Sequence, residues 1–258
     1  MILTVDIGNT NIAMGLVDDE KVYGTFRLTT KTPRTSDEFV IALSSFFMNS
    51  EIMKHQVDDV IISSVVPQVM YSFNSAIIKF LKKEPIIIGP GIKTGIKIQT
   101  ENPKEVGADR IVDVVAGHEK YHSSCIVIDF GTATTFDYIS KDAVFKYCII
   151  TPGIRISANA LTSQAAKLPN VEIQKPKSIL GTNTISGMQA GIVYGYIGAV
   201  EYIIKTMKKE LNDPDCPVIA TGGLGKIIAN ETDMINDYDP DLAYKGMWKI
   251  YKLNKEVA

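Results

Sequence analysis

Apolar residues fall in short runs along this chain. The first two, ILTVDI (2–7) and NIAMGLV (11–17), read as strands joined around Gly8–Thr10. A third run, KVYGTFRL (21–28), follows the turn DDE, so the chain is expected to open as an antiparallel meander. In TSDEFVIALSSFF, Thr35 with Glu38 three residues on is a capping-box signature, and Phe39, Leu43 and Phe46 recur at helical spacing. DDVIISSVVP then predicts a buried strand, YSFNSAIIKFLKK a helix and EPIIIG another strand, an alternation that extends the sheet with parallel strands. Over 102–122 a further helix is predicted: Asn102 as cap, Pro103 at the first position, Glu105 reaching back, an interruption at Gly107, and Ile111, Val114 and Val115 on an apolar face.

From Cys125 the order restarts, with strands over 125–130, 134–140 and 143–150, helical segments, a strand over 217–221 and a helix. The stretch 184–209 is apolar on most faces and predicts a central, largely buried helix, while the closing YKLNKEVA reads as a fraying helix end. Two strand ends match: VDIGNT at the start and IDFGTA 123 residues later. The reading is an α/β fold of two similar domains from a duplication, 1–117 and 118–258.

The recurring feature has a chemical rationale. An aspartate at the carboxyl end of a strand stands where α/β folds bind ligands, and the glycine two residues on lets backbone N–H groups approach a phosphate. Asp6 and Asp129 could hold Mg²⁺ against phosphates. The hydroxyls of Thr10, Thr132, Thr134 and Thr135 would add neutral donors. Two such loops facing each other across an interdomain cleft would clamp a triphosphate. Asp-Gly hairpin turns are the plain alternative, and the repeated apolar run before each loop favours phosphate binding. PVIATGGLGKII adds Gly222 and Gly223 after a strand. Walker A and the G-x-G-x-x-G fingerprint are both missing.

Charge narrows the partners. With 27 basic and 29 acidic side chains and a net charge of −2, neither nucleic acid nor an anionic membrane is expected. Cys125, Cys148 and Cys216 form neither a C-x-x-C pair nor a disulfide framework, which fits a reducing cytoplasm. No signal-peptide pattern opens the chain, and no apolar run approaches the roughly 18 residues of a membrane span. HEKYH (118–122) is a literal H-E-x-x-H, with Glu119 as base of a zinc hydrolase; it falls where the helix should end, and helix-end histidines in solvent are the better reading.

The segments DIGNTNIAMG (6–15), ISSVVP (62–67), NPKEVGADR (102–110), DFGTATTFD (129–137), TPGIRISANAL (151–161), NTISGMQAG (183–191) and TGG (221–223) together resemble the type III pantothenate kinases of the actin-like superfamily. That resemblance implies two actin-like (ribonuclease H-like) domains with an interdomain cleft and ATP-dependent phosphorylation of the primary hydroxyl of pantothenate, the entry step to coenzyme A. It implies ATP contacts from Asp6, Ile7, Gly8, Asn9, Thr10, Asn11, Ile12, Ala13, Thr132, Gly222 and Gly223. Mg²⁺ would reach Asp6 through phosphate, and Asp129 would bind a monovalent cation, K⁺ or NH₄⁺. Asp109 is implied as general base, with Gly107, Ala108, Asp109, Arg110, Thr184 and the wall position Thr100 around pantothenate. Arg110 is a fork of donors suited to that substrate's carboxylate. A homodimer, with the long helix at or near its interface, completes the expectation. The chain departs from the family at Thr100, where a tyrosine is usual, and at Tyr147-Cys148, where Gly-Gly is usual. Those departures leave two other readings: a kinase of another small hydroxyl compound, or a non-catalytic regulatory relative.

Overall fold

The structure, a computed structural model, describes residues 1–19 and 21–255; Glu20 of the DDE turn and the last three residues of the tail lie outside the described residues. The chain forms two compact units. The first comprises Met1–Lys120 and the chain from Asp241 onward, the second Tyr121–Pro240.

In the first unit, β1 (Ile2–Ile7), β2 (Asn11–Asp18) and β3 (Lys21–Thr29) form the antiparallel meander. Next come α1 (Ser36–Ser50), β4 (Asp59–Ser64), α2 (Pro67–Leu81), β5 (Ile86–Ile87), β6 (Lys97–Ile98) and α3 (Ala108–Tyr121). Strand order is β3-β2-β1-β4-β5, with β4 parallel to β1 and β5 parallel to β4. Alternation along β1 sorts the two faces: Leu3, Val5 and Ile7 join Phe39, Leu43 and Phe73 of α1 and α2 in one core, and Ile2 joins Val112 and Val115 of α3 in another. The expected capping box of α1 is present: Glu38 N donates to Thr35 Oγ1 at 3.3 Å, and Thr35 N donates to the Glu38 carboxylate at 2.7 Å. The helix predicted over 102–122 divides at Gly107 into a single 3-10 turn, Pro103–Glu105, and α3. Asn102 makes no side-chain cap; its amide donates to the Glu105 carboxylate at 2.8 Å instead.

The second unit repeats this plan. β7 (Cys125–Phe130), β8 (Ala133–Ile139) and β9 (Val144–Pro152) form a second meander, followed by α4 (Ile154–Gln164), α5 (Thr184–Glu210), β10 (Val218–Thr221), α6 (Gly225–Ala229) and β11 (Asp237–Tyr238). Its strands run β9-β8-β7-β10-β11, antiparallel within the meander and parallel beyond it, which is the order and polarity of the first unit. The duplication read from two strand ends is therefore a duplication of topology. Ile126, Ile128 and Phe130 of β7 share a core with Ile192, Val193, Ile197 and Val200 of α5.

Two expectations need revision. From Asp241 the chain returns to the first unit, where α7 (Leu242–Lys255) packs on β1, β2 and β4. This differs from the division at 117/118, which left the whole C-terminal half in one domain. Tyr251 donates to Asp59 at 2.8 Å and Lys255 reaches the same carboxylate at 3.0 Å, fastening the helix to the start of β4. The helix α5 is also not buried all round: Thr184, Gly187, Gly191, Gly195, Gly198 and Tyr202 are exposed along one side. Glycine and alanine read as apolar in a periodicity count, yet they bury almost nothing.

Candidate functional site

The first unit gathers two carboxylates. Asp6 is the last residue but one of β1, and register places it opposite Ala13 on β2 and Ser63 on β4. Its side chain is half-buried, but Oδ1 itself is buried and has no hydrogen-bond partner among the described residues, as is true of Ser63 Oγ. Burial, with the charge of Asp109 added, raises the Asp6 carboxyl to about 7, partly offset by Ser63. Asp109 stands at the start of α3. Burial raises its carboxyl too, while the backbone N–H and the charge of Arg110 hold it back; that N–H donates to Asp109 Oδ1 at 2.8 Å. Gly107 explains how the carboxylate fits. A Cβ at this position would collide with Asp109 Oδ1 and come within 3.2 Å of Val65.

The loop after Asp6 is closed by Gly8 N donating to Asn11 O at 3.0 Å, and Thr30, just past the end of β3, pins it: its hydroxyl donates to Gly8 O at 2.7 Å and its N–H to Thr10 O at 2.9 Å. A Cβ on Gly8 would meet only Asn11 O, at an ordinary 3.4 Å, so the fold does not itself require glycine there. Ile7 and Ile12 are wholly buried, so only their backbone could face a ligand, whereas Asn9 and Asn11 are exposed.

In the second unit, Asp129 is again the last residue but one of its strand, opposite Thr135 on β8 and Thr221 on β10. Two glycines crowd it, and a third crowds the loop that follows. Gly222 has φ +92°, and a Cβ there would sit 2.6 Å from both Asp129 Oδ1 and Phe130 O. At Gly131 a Cβ would lie 2.9 Å from Asp129 Oδ2, and at Gly153 one would collide with Thr132 O. Thr132 is exposed at the loop tip, where Gly153 N donates to Thr132 O at 3.2 Å. The expected donor Thr134 is taken by the protein: it is buried and accepts from Tyr196 Oη at 2.5 Å. Thr135 Oγ1 is buried with no partner among the described residues. Gly223 and Thr184, the first residue of α5, are exposed.

Of the predicted residues, Asp6 through Ala13 and Gly107 through Arg110 thus come together in the first unit, and Asp129, Thr132 and Gly222 in the second. Thr100 lies in the loop after β6, its Oγ1 buried and without a partner among the described residues. Ser63 and Gly153 were missed. A strand ending Ser-Ser beside an acidic strand end, and a Thr-Pro-Gly after the second meander, were the available signals. H-E-x-x-H loses its geometry: α3 ends at Tyr121, His122 has φ 50°, and Glu119 is paired with Lys249 at 2.6 Å. Among the described residues no group of three His, Cys, Asp or Glu side chains is placed to hold a metal ion.

A family model described as type III pantothenate kinase matches residues 2–206. The chain belongs to that family. A type III pantothenate kinase of Agathobacter rectalis is 51% identical over 252 residues, covering 98% of this chain and 97% of that one. Among solved structures, a Campylobacter jejuni protein described as a Baf family transcriptional activator aligns over 99% of this chain and 100% of its own, at TM-score 0.58 and 22% identity. One from Sinorhizobium meliloti described as a 2-dehydro-3-deoxygalactonokinase aligns over 100% and 98%, at TM-score 0.63 and 11% identity. These two likenesses show the fold alone, that of two actin-like domains.

Within the type III family the departure at Tyr147-Cys148 has a simple structural setting. Both residues lie inside β9, opposite Tyr138 and Asp137, and neither has positive φ. Tyr147 stacks on Tyr138 at 6.0 Å between ring centroids. The conformational freedom of glycine is not needed there; Gly153 supplies the close approach further on.

Proposed function

We propose that this chain transfers the γ-phosphoryl group of ATP to the primary hydroxyl of pantothenate, giving 4′-phosphopantothenate and ADP, the first step of coenzyme A synthesis. The observation that carries the reading is the pair Asp6 and Asp109, charge-coupled in one unit of a chain 51% identical to a type III pantothenate kinase. Asp109 is the general base. A carboxyl raised by burial accepts the hydroxyl proton as the alkoxide oxygen bonds to the γ-phosphorus and the bond to the ADP oxygen breaks. Arg110 takes the pantothenate carboxylate, and Gly107, Ala108, Thr100 and Thr184 shape the rest of that site.

Asp6–Ala13, Thr132, Gly222 and Gly223 contact ATP. The orphaned, buried Asp6 Oδ1 fits a hydrated Mg²⁺, which when bound offsets phosphate charge. Asp129 would hold the monovalent cation, K⁺ or NH₄⁺; its Oδ1 and Phe130 O both face the position that a Cβ on Gly222 would take. The exposed glycine stripe of α5, flanked by Ile185 and Tyr202 at 52% and 72% exposure, supports a homodimer through that helix. No helix among the described residues is long and apolar enough to cross a membrane, which is compatible with the proposed cytoplasmic location.

An ADP-release assay with ATP and Mg²⁺ tests the reading. Turnover should require pantothenate and fall sharply when K⁺ is replaced by Na⁺. ADP release indifferent to pantothenate would assign another acceptor, and K⁺-independent turnover would remove the cation from Asp129.

A further inference from the structure

The loop Asp6–Ala13 contains no positive side chain. A nucleotide seated there would bring several negative charges beside two carboxylates, and phosphoryl-transfer sites answer such charge with Arg, Lys or a metal ion. Arg110 is assigned to the pantothenate carboxylate and the proposed Mg²⁺ offsets part of the phosphate charge; a side-chain cation from elsewhere in the unit would answer more of it.

Register points to one. Ser63, Asp6, Ala13 and Arg27 occupy a single line across β4, β1, β2 and β3. Directly opposed residues share a face, so Arg27 stands on the Asp6 face, about 10 Å away across two strand spacings. In the row Ala13 stands between them, and Arg27 is exposed. Two residues further along β2, Gly15 shares that face. A Cβ on it would lie 3.0 Å from Cγ and Cδ1 of Tyr244, so glycine is what lets this α7 ring lie against the sheet. The ring is 3% exposed. Its hydroxyl lies in the field of both Arg27 and Asp6, yet completes no hydrogen bond of good geometry among the described residues. Burial pushes that hydroxyl up to about 12, with Arg27 offsetting part of the rise, so it remains a donor or acceptor at neutral pH.

We propose that Arg27 contacts the phosphates of the nucleotide and that Tyr244 is the positioning residue holding its guanidinium over the Asp6 row. Aspartate, hydroxyl and guanidinium come from three separate elements, and Gly15 leaves room for the ring as well as for Thr4 Oγ1 beside it. The inference rests on the reading that the Asp6 loop takes ATP.

Calorimetric titration of the full chain with ATP and Mg²⁺, beside steady-state kinetics, tests it. Arg27→Ala should weaken ATP binding and raise its KM about tenfold, the loss of a charge-assisted hydrogen-bonded contact, while the pantothenate KM stays within about twofold. Arg27→Lys should recover part of this, since it keeps the charge without the fork. Tyr244→Phe keeps the ring on Gly15, so the melting temperature should hold while the ATP KM rises about threefold; combined with Arg27→Ala it should add nothing further. An Arg27→Ala chain that binds ATP within twofold of the parent overturns the proposal, as does an equal rise in both KM values. Should the parent chain bind ATP but ignore pantothenate, the acceptor reading falls, and the calorimetric comparison still decides the role of Arg27.

Discussion

Asp6 and Asp109 lie within each other's electrostatic reach, and the charge of Asp109 adds to burial in lifting the Asp6 carboxyl to about 7. One comes from a strand end and the other from a helix start, so the coupling exists only because β1 and α3 belong to one packed layer pair. The charge of Asp109 raises the proton affinity of Asp6, while burial raises that of Asp109 itself, which suits Asp109 to take a proton from an alcohol.

Asp109→Asn keeps the shape and the helix-start hydrogen bonding but removes the base. The expected outcome is a fall in kcat of about 10²- to 10⁴-fold with ATP affinity retained. Gly107→Ala should give a milder version of the same defect, because its methyl group would displace the Asp109 carboxylate rather than remove it. Single-turnover phosphoryl transfer beside calorimetric ATP binding checks both. Near-parental turnover in Asp109→Asn would end the base assignment.

The raised Asp6 carboxyl also predicts how the ligand-free protein responds to pH. Between the ordinary aspartate value of 3.8 and about 7, the folded state holds a proton that the unfolded chain has released. Stability therefore falls as pH rises through that window and levels off above it. Asp6→Asn cannot ionise and should be the more stable protein at pH 8, by about 2 kcal/mol, a figure set below the full value of the shift because solvent reaches part of the side chain. The gain should shrink toward pH 4, while kinase activity is lost at every pH. Urea unfolding of both chains at pH 4.5 and 8 measures this. A variant less stable than the parent at pH 8 would mean that Asp6 is paired, not stranded.

Much of this site was legible because its signals are local. A buried strand ending Asp-x-Gly announces itself in six residues, and Thr35 with Glu38 fixes a helix start in four. What could not be read is pairing at a distance. An amphipathic helix such as α7 carries no address, and its place is decided by Gly246 against the Val112 carbonyl and Gly15 under Tyr244, both contacts between residues over a hundred positions apart. Ser63 joins the site only through parallel pairing of β4 with β1. The duplicated strand order was expected from one repeated motif, yet the motif alone could not say that the sixth residue from the start and the sixty-third would share a row.

The thiols offer a check on the second unit's packing. Cys125 and Cys216 are wholly buried; burial, with the charge of Asp213 added, pushes Cys216 up to about 11, and burial with Cys216 beside it pushes Cys125 higher still. Cys148 is exposed on β9. At pH 8 a chromogenic disulfide reagent should titrate one thiol per chain quickly and all three only in denaturant, since the thiolate is the reactive form. Fast reaction of three thiols in the native protein would show that the start of β7 is open to solvent.

Two glycines, one in each unit, should separate ligand contact from fold. Gly8 has ordinary φ and room for a methyl group, so Gly8→Ala should leave the melting temperature within about 1 °C while raising the ATP KM about tenfold, the methyl group standing where phosphate must approach the backbone. Gly222 has φ +92° and no room, with Asp129 Oδ1 and Phe130 O both 2.6 Å from the position of a Cβ. Gly222→Ala should therefore cost about 1–3 kcal/mol of stability through strain and displacement, before any ligand is considered. Thermal unfolding with and without ATP distinguishes the two. The parent should gain stability from saturating ATP, Gly8→Ala should gain much less, and Gly222→Ala should start lower. A Gly8→Ala chain stabilised by ATP as fully as the parent would show that the first loop leaves its nucleotide untouched.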